Sequence, residues 1–379
     1  MNPGDIPSFP SVFKKRQAKL GAVLTDTQLD SLILNPGPSL LYLTGLHFHL
    51  SERPVLVFFF PNATPLIVLP ELELQKLKDL PYEIQGFPYG EDPETWGNSF
   101  QEVIQAANLG NQRNGVEPRQ MRLLEYRLLV EAAPKGEFIP AGESVSTLRM
   151  YKDEDELFAM HNAVQIAQQA LKATLHQVKI GMTEREVAAE LTLQLFKAGS
   201  DPEMPFAPIV SAGSNAANPH ATPTERKLTA GDLLVIDWGA SHSGYISDIT
   251  RTFAIGNVDP EYEKIHQIVL HANEAGRSAV RPGIPAEAVD HAARRVIDAS
   301  GYGKYFTHRT GHGLGMESHE DPYIRDGNRL LLTPGMTFTI EPGIYLPGRN
   351  GVRIEDDVVI TQTGAESLTD FPREFTQLF

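Results

Sequence analysis

The pattern of apolar and polar positions divides the chain into two parts. Up to about residue 150, short apolar runs alternate with longer amphipathic stretches. SLILN, PVLVFFF and PLIVLP predict strands, whereas GNSFQEVIQAANL and QMRLLEYRLLVEAA predict helices. This alternation predicts a small N-terminal α/β domain over residues 1–150.

A change of pattern near residue 150 predicts the domain boundary. The stretch STLRMYKDEDELFAMHNAVQIAQQALKATL predicts one long helix opened by acidic residues, which suit a helix N-terminus. We therefore expect a second domain over residues 151–379.

The second part contains an internal repeat. Residues 179–199 align without gaps on residues 281–301, an offset of 102, and LTAGDLLVIDWGA (228–240) aligns on LTPGMTFTIEPGI (332–344), an offset of 104. Further extended runs, GYISDITRTF and GVRIEDDVVI, place Asp248 and Glu355 in like positions. Each half is predicted to contribute two helices and two antiparallel strands, with one acid on each strand.

Composition narrows the classes of protein and of site. A chain of 379 residues is long enough for two domains, and its 41% hydrophobic and 21% charged residues are typical of a globular protein. The absence of cysteine excludes a disulfide scaffold, a thiolate zinc site and a cysteine nucleophile. The net charge of −15 argues against nucleic acid or an acidic membrane as a partner. The opening MNPGDIPSFP does not resemble a signal peptide, so we expect a cytoplasmic location.

Four carboxylates occupy strand positions that a buried strand would fill with apolar side chains. They are Asp237, Asp248, Glu341 and Glu355. An ion pair or a solvent-exposed strand end explains any one of them, but Arg251 and Arg353 cannot neutralise all four. Two divalent cations can, and an oxygen-rich ligand set without sulfur favours Mn²⁺ or Co²⁺, with Zn²⁺ or Fe²⁺ as alternatives.

Histidines are candidate nitrogen ligands beside these acids. The stretch FTHRTGHGLGMESHEDP contains His308, His312 and His319, separated by glycines that permit backbone or substrate to come close. The glycine spacing matches neither a dinucleotide fingerprint nor a phosphate-binding loop, and it predicts loop and strand rather than a zincin helix. His220, in NAANPHATPT, is a further candidate, with a structural loop histidine as the alternative.

The complete spacing resembles that of the pita-bread metallopeptidases of family M24, which include prolidase, aminopeptidase P and methionine aminopeptidase. The resemblance rests on GHGLG, TIEPGIY and VRIEDD around His312, Glu341 and Glu355, together with Asp237 and Asp248, and it covers residues 150–379. The N-terminal part resembles the extra domain of prolidases, aminopeptidases P and creatinase. The fold that this implies is an N-terminal α/β domain followed by a pita-bread catalytic domain with a pseudo-twofold repeat.

The resemblance also implies a role for each residue. Asp237 would hold one metal ion, Asp248 and Glu355 would bridge both ions, and His312 and Glu341 would complete the second. A hydroxide that bridges the ions would attack the Xaa-Pro bond, and Glu341 would carry the proton to the leaving nitrogen. The remaining implied site residues are His220 and His319, which contact substrate and intermediate, His308, which shapes the pocket, and Arg353, which faces the substrate.

The resulting prediction is a di-metal Xaa-Pro dipeptidase, and a homodimer is expected because dimers are common among the relatives. Chain length and the C-terminal ESLTDFPREF favour a dipeptidase; aminopeptidase P, which acts on longer peptides, and a non-catalytic pita-bread binding module are the alternatives. YLTGLHFHLSERP places His47, His49 and Arg53 where prolidase relatives send a loop over the pocket, and a polar loop in solvent is the alternative there.

Overall fold

The computed structural model describes residues 10–379, with side chains described from residue 12 onward. Our expectation about a signal peptide concerns residues 1–9, which lie outside the described residues. The chain forms two compact units, divided between Arg149 and Met150. Within residues 10–379, every helix is too short or too polar to cross a bilayer.

The first unit is built on one mixed sheet with helices beside it. Its helices are α1 (Pro10–Asp26), α2 (Pro38–Thr44), α3 (Trp96–Ala106), α4 (Leu123–Ala132) and α5 (Gly142–Arg149). Its strands are β1 (Ser31–Leu34), β2 (Leu56–Phe59), β3 (Leu66–Pro70), β4 (Gln85–Tyr89), β5 (Arg113–Val116) and β6 (Glu137–Pro140), in the sheet order β4-β3-β2-β1-β5-β6. The predicted α/β domain is confirmed.

Continuous burial explains why the first three strands are apolar at successive positions. Every residue of β1, β2 and β3 is buried, so neither face of these strands requires polar side chains. Phe100 and Val103 of α3 pack in one cluster with Ile33 and Phe58 of the sheet. The apolar side chains that make these strands hydrophobic therefore also hold α3 against the sheet.

The second unit contains two helix pairs and several sheets. Its helices are α6 (Glu154–Leu175), α7 (Glu184–Lys197), α8 (Pro260–Ala279) and α9 (Ala286–Ala299). Its strands are β7 (Ile209–Ala212), β8 (Leu233–Trp238), β9 (Ser241–His242), β10 (Tyr245–Ile246), β11 (Ile249–Ile255), β12 (Gly311–Gly313), β13 (Glu320–Ile324), β14 (Thr337–Ile340), β15 (Gly343–Leu346), β16 (Asn350–Arg353), β17 (Asp356–Ile360), β18 (Ala365–Ser367) and β19 (Thr376–Leu378).

The internal repeat predicted from the sequence is present in this unit. Helices α7 and α9 begin and end at residues 102 apart, the offset found in the sequence. Strands β8 and β11 pair antiparallel in a sheet of order β19-β11-β8-β7, and β14 and β17 do so in a sheet of order β13-β12-β14-β17-β18. An antiparallel bridge between Thr250 and Glu355 joins the two halves.

The predicted long helix over residues 146–175 is two helices in the structure. Helix α5 ends at Arg149, and α6 begins at Glu154. Asp153 caps α6: its carboxylate accepts from the Glu156 amide at 3.0 Å, while the Glu156 carboxylate accepts from the Asp153 amide at 2.9 Å. This reciprocal capping satisfies amides that a continuous helix would bond internally, so the acids mark the start of α6 rather than a position within a longer helix.

Candidate metal centre

The first pair of acids lies on the β8–β11 hairpin. Leu234, Ile236 and Trp238 of β8 belong to the cluster packed around α6 and α7, so Asp237 lies on the opposite face of the strand. Asp237 is directly opposite Thr250, and Asp248 immediately precedes β11. Both carboxylates are buried, and strand alternation places them on the face that meets the second half of the repeat.

The second pair lies at the corresponding places of the other half. Glu341 follows the last residue of β14, and Glu355 immediately precedes β17. The Glu355 carboxylate accepts a hydrogen bond from Thr250 Oγ1 at 2.6 Å, which fixes one of its oxygens at the junction between the halves. The repeat therefore brings its four acids together at the junction between its two halves, which we call the seam.

His312 lies on β12 beside these acids. Its Nε2 is 3.7 Å from Asp248 Oδ2 and 3.5 Å from Glu341 Oε1, and its Nδ1 is 3.2 Å from the Gly313 carbonyl. When Nδ1 donates to that carbonyl, Nε2 carries no proton and is available as a ligand. Ligand atoms of Asp248, His312 and Glu355 all lie within 4.8 Å of one another.

Glycines allow β12 to lie so close to its neighbours. A Cβ at Gly311 would collide with the Thr339 carbonyl, and a Cβ at Gly313 would collide with the Asp321 carbonyl. The glycines therefore let the backbone of β12 pack closely against the backbones of β13 and β14. This packing sets the position of His312 between those two strands.

Burial and mutual repulsion dominate the electrostatics of the carboxylates. Burial and then the charge of Glu355 raise the pKa of Asp248 well above its usual value, and burial and then the charge of Glu341 do the same for Glu355. Burial raises the pKa of Glu341 to about 7. Burial also raises the pKa of Asp237, although Arg353 opposes it. The chain's own cations thus leave much of this negative charge without compensation.

The donor set fits divalent cations. The site offers four carboxylates and an imidazole whose pKa burial lowers well below its usual value, so the ring is neutral. Asp237 Oδ1 is buried and has no hydrogen-bond partner among residues 10–379. A buried carboxylate oxygen without a partner is costly unless a ligand completes it, and divalent cations complete such oxygens.

The acids and His312 form part of the wall of a cavity of about 610 Å³. All nine residues predicted for the site line it: His220, Asp237, Asp248, His308, His312, His319, Glu341, Arg353 and Glu355. The other lining residues are Phe206, Ala207, Ile209, Pro219, Arg309 and Ser318. The structure therefore brings together every predicted residue, while the role of each stays a prediction.

The three histidines outside the acid cluster differ in how they are held. His319 is exposed, and its ring meets that of His312 edge-on at 4.1 Å. His220 is exposed in a loop. His308 is fixed by Nε2 at 2.9 Å from the Tyr345 hydroxyl and Nδ1 at 2.7 Å from the Arg309 carbonyl. His220 and His319 are the more accessible to a ligand, whereas both ring nitrogens of His308 have partners within the protein.

Arg353 is a buried cation at the junction of the halves. Its Nη2 donates to Asp237 Oδ2 at 2.6 Å, its Nη1 donates to the Tyr345 hydroxyl at 2.9 Å and to the Pro219 carbonyl at 3.2 Å, and its Nε donates to Thr250 Oγ1 at 3.1 Å. Each guanidinium nitrogen thus has a protein partner, and the predicted contact with substrate stays a prediction.

Sequence reasoning missed Thr250, Tyr345 and Arg309. Thr250 and Tyr345 connect Arg353 to Glu355 and His308, and Arg309 lines the cavity. Thr250 follows Asp248 by two residues and Tyr345 closes the TIEPGIY stretch, so strand alternation offered a signal for Thr250 on the face of Asp248.

The loop that carries His47, His49 and Arg53 belongs to the first unit. The rings of His47 and His49 meet edge-on at 4.9 Å, and Arg53 Nη2 lies 2.8 Å from Glu91 Oε2. The contact of this loop with substrate stays a prediction.

Comparison with known proteins gives matches to both parts of the chain. The model described as metallopeptidase family M24 matches residues 159–362, and that of the creatinase/prolidase N-terminal domain matches residues 16–151. A Xaa-Pro dipeptidase of Lactobacillus helveticus is 34% identical over 352 residues, 93% of this chain and 95% of that one.

Two solved structures extend the similarity to three dimensions. A dipeptidase from Pyrococcus horikoshii OT3 is 38% identical with a TM-score of 0.90, over 96% of this chain and 100% of that one. A prolidase from Thermococcus sibiricus is 34% identical with a TM-score of 0.91, over 97% and 99%.

Proposed function

Because the chain belongs to metallopeptidase family M24 and carries the N-terminal domain of creatinases and prolidases, we propose that it is a dipeptidase that hydrolyses Xaa-Pro bonds. The relatives that are named Xaa-Pro dipeptidase and prolidase support this substrate class. The observation that carries the proposal is the convergence on one cavity of His312 and four acids, of which Asp237, Asp248 and Glu355 are buried and Glu341 is half-buried. Aminopeptidase P remains the alternative.

Members of this family depend on divalent metal ions. The ligands that we propose are the four acids of the seam and His312. Asp237 would hold one ion, Asp248 and Glu355 would serve both ions, and His312 and Glu341 would complete the second. Three observations support this set: the unpartnered Asp237 Oδ1, the proximity of Asp248, His312 and Glu355, and the neutral His312 ring. Carboxylate-rich ligation without sulfur favours Mn²⁺ or Co²⁺, with Zn²⁺ or Fe²⁺ as alternatives.

Each remaining residue has a proposed task in the hydrolysis. When bound, the cations supply Lewis acidity that activates water and polarises the scissile carbonyl. Glu341 accepts the proton that the attacking water loses and returns it to the proline nitrogen as the C–N bond breaks. His319 and His220 donate to the carbonyl oxygen as negative charge develops there. His308 and Tyr345 hold the wall in place.

The cavity also suits the proline ring. Its lining includes the apolar residues Phe206, Ala207, Ile209 and Pro219. A Xaa-Pro bond has no N–H and its φ is fixed near −65°, so an enzyme that grips an extended backbone binds it poorly. An apolar wall can instead bind the ring itself.

The division of labour between the two parts of the chain is also a proposal. We assign catalysis to residues 151–379 and a supporting role to residues 1–150, with the homodimer and the cytoplasmic location kept as sequence-based predictions. The proposed substrate is a small peptide. The net charge of −15 argues against a nucleic-acid partner.

The experiment compares Ala-Pro, Ala-Pro-amide, Ala-Pro-Ala and Ala-Ala under one set of metal conditions. Loss of the free carboxylate should cost on the order of 1 to 3 kcal/mol, or roughly tenfold to a hundredfold in kcat/KM, because a charged donor is left unpaired. Rapid hydrolysis of Ala-Pro with slow turnover of the other three supports a dipeptidase.

The other outcomes assign the alternatives. Equal or faster turnover of Ala-Pro-Ala moves the assignment to aminopeptidase P, and rapid hydrolysis of Ala-Ala removes the proline specificity. A folded chain that binds no divalent metal and cleaves none of the four is a binding module.

A further inference from the structure

A buried carboxylate begins the apolar side of α7. The buried residues of this helix, spaced so that they share one side of it, are Glu184, Val187, Leu191 and Leu195. In the second half of the repeat, Ala286 takes the place of Glu184 at the offset of 102 and is buried as well. An acid in such a position is costly unless hydrogen bonds satisfy its oxygens, so its partners indicate what it holds.

The carboxylate of Glu184 accepts four hydrogen bonds. Its Oε1 accepts from the Ala212 amide at 2.7 Å. Its Oε2 accepts from Asn215 Nδ2 at 2.8 Å, from the Thr224 amide at 2.9 Å and from the Thr224 hydroxyl at 2.6 Å. None of these donors is a cation, so oriented dipoles from one segment of the chain stabilise the charge.

The four donors come from both ends of one loop. Ala212 is the last residue of β7, where the chain leaves the sheet. The chain returns to the same carboxylate at Thr224. Glu184 therefore closes residues 212–224, which we call the His220 loop, into one compact unit.

The His220 loop forms part of the cavity wall. Pro219 and His220 line the cavity, and the Pro219 carbonyl accepts from Arg353 Nη1 at 3.2 Å. The His220 amide donates to Asn218 Oδ1 at 3.2 Å. His220 is itself exposed, so the position of its ring depends on the backbone that carries it.

We propose that Glu184 is a positioning residue, which fixes the His220 loop at its two ends and thereby places the His220 ring at the scissile carbonyl. The inference rests on the proposed function, in which His220 donates to the oxygen of that carbonyl as negative charge develops. Such a donor acts through preorganised geometry, and a misplacement of about 1 Å can lower the rate by up to about a hundredfold. Glu184 therefore affects the reaction through the backbone of the loop.

The kinetic test follows the hydrolysis of Ala-Pro by Mn²⁺-loaded Glu184→Gln. Glutamine has the same shape, but its amide nitrogen cannot accept, so at least one of the four donors loses its partner. We expect kcat to fall by roughly tenfold to a hundredfold, KM to change by less than about threefold, and the metal content to stay the same.

A double variant shows whether the effect passes through His220. His220→Ala alone should lower kcat at least as much as Glu184→Gln does. Adding Glu184→Gln to His220→Ala should lower kcat by less than about a further threefold, because the ring that Glu184 positions is already absent.

Amide hydrogen exchange measures the loop without reference to turnover. In Glu184→Gln, peptides that cover residues 212–224 should exchange at least about tenfold faster than in the wild type, while peptides of α8 exchange as before. Glu186→Gln is the matched control: Glu186 is exposed on the same helical turn, and glutamine can still accept from the Thr183 amide, so kcat and exchange should not change. If thermal melting shows that Glu184→Gln does not fold, Thr224→Val decides the matter, because it removes only the hydroxyl donor and should lower kcat by about threefold to tenfold.

Three results in a folded variant would overturn the role of Glu184 alone. Unchanged exchange of residues 212–224 would show that the carboxylate does not hold the loop, and faster exchange with unchanged kcat would show that the position of the loop does not matter. Equal fractional losses with and without the His220 ring would show that Glu184 acts by another route. Wild-type protein that, loaded with Mn²⁺, does not hydrolyse Ala-Pro would instead overturn the proposed function and, with it, the catalytic part of this inference.

Discussion

Replacing Glu341 with glutamine should stabilise the chelated protein and inactivate the metal-loaded one. In the absence of metal, burial raises the pKa of this carboxyl from 4.5 to about 7. The folded state therefore holds the proton more tightly than the unfolded state. As the pH rises from about 4.5 to about 7, the unfolded chain loses its proton first, so the free energy of unfolding falls across this window.

The size of the effect follows from the shift. A difference of about 2.5 pKa units corresponds to about 3 kcal/mol at 1.36 kcal/mol per unit. Since 14% of the Glu341 side-chain surface is exposed, this is an upper value. Glu341→Gln removes the ionisable group and with it the cost, so the variant should be more stable than the wild type by up to about 3 kcal/mol at pH 8, and by about 1 kcal/mol at most at pH 5.

Urea denaturation of chelator-treated protein at pH 5 and pH 8 measures this difference. Glu366→Gln is the matched control, because Glu366 is exposed on β18 and the same change there should alter stability by less than about 0.5 kcal/mol. With Mn²⁺ restored, Glu341→Gln should bind the ions more weakly and lose most turnover. A chelated variant no more stable than the wild type at pH 8 would refute the reasoning that the seam carries uncompensated charge.

Three further predictions concern the metal ions, a histidine and the N-terminal loop. Protein reloaded with Mn²⁺ or Co²⁺ should contain about two ions per chain by elemental analysis, with turnover abolished by chelation and restored by metal; a folded, loaded protein that holds none contradicts the ligand set. His319→Ala should keep that metal content but slow turnover by roughly 10²-fold or more, and metal loss with normal turnover per bound ion would reverse the assigned roles. His49→Ala should raise KM, whereas unchanged KM and kcat in variants at His47, His49 and Arg53 would support a polar loop in solvent.

The repeat was predictable because the same strand pattern occurs twice in the sequence, at residues 228–240 and 332–344. A carboxylate that follows or interrupts an apolar run is visible without a structure, and Asp237 and Glu341 come at equal distances after the same Leu-Thr pair. The helix boundary near residue 150 was harder. Acidic residues occur both at helix starts and on exposed helical faces, so the pattern alone could not show that Asp153 caps a new helix.

The contacts of the arginines could not be predicted, because they depend on how distant segments meet. Arg251 and Arg353 both lie near the acids in sequence, yet of the two only Arg353 bonds to the carboxylate of a proposed ligand, Asp237. The bond from Arg251 Nη1 to Glu355 is to its backbone carbonyl, at 2.6 Å. Arg251 bonds instead to Asp356, at 2.9 Å, and to the Phe371 carbonyl. We predicted that two arginines are too few to neutralise four acids. The structure adds a second reason, because Arg251 is paired with Asp356, which is not a proposed ligand.

The acids of VRIEDD show how strand alternation separates metal-binding chemistry from structural support. Glu355 and Asp357 lie on one face: the Glu355 carboxylate lines the cavity, and Asp357 Oδ2 accepts from the Asp248 amide at 3.1 Å. Asp356 points the other way, where Arg373 Nε donates to it at 2.7 Å and Arg251 at 2.9 Å.

The two faces have opposite electrostatics. Burial alone would raise the pKa of Asp356, but Arg251 and Arg373 hold it below its usual value, whereas burial raises that of Asp357 and of Glu355 well above theirs. The ion pairs therefore stabilise an ionised Asp356 beside a seam in which, among residues 10–379, Asp237 is the one acid of the four that has an arginine partner. In this way the chain can anchor β17 firmly with its arginines while leaving the charge of Glu355 for a bound ion to neutralise.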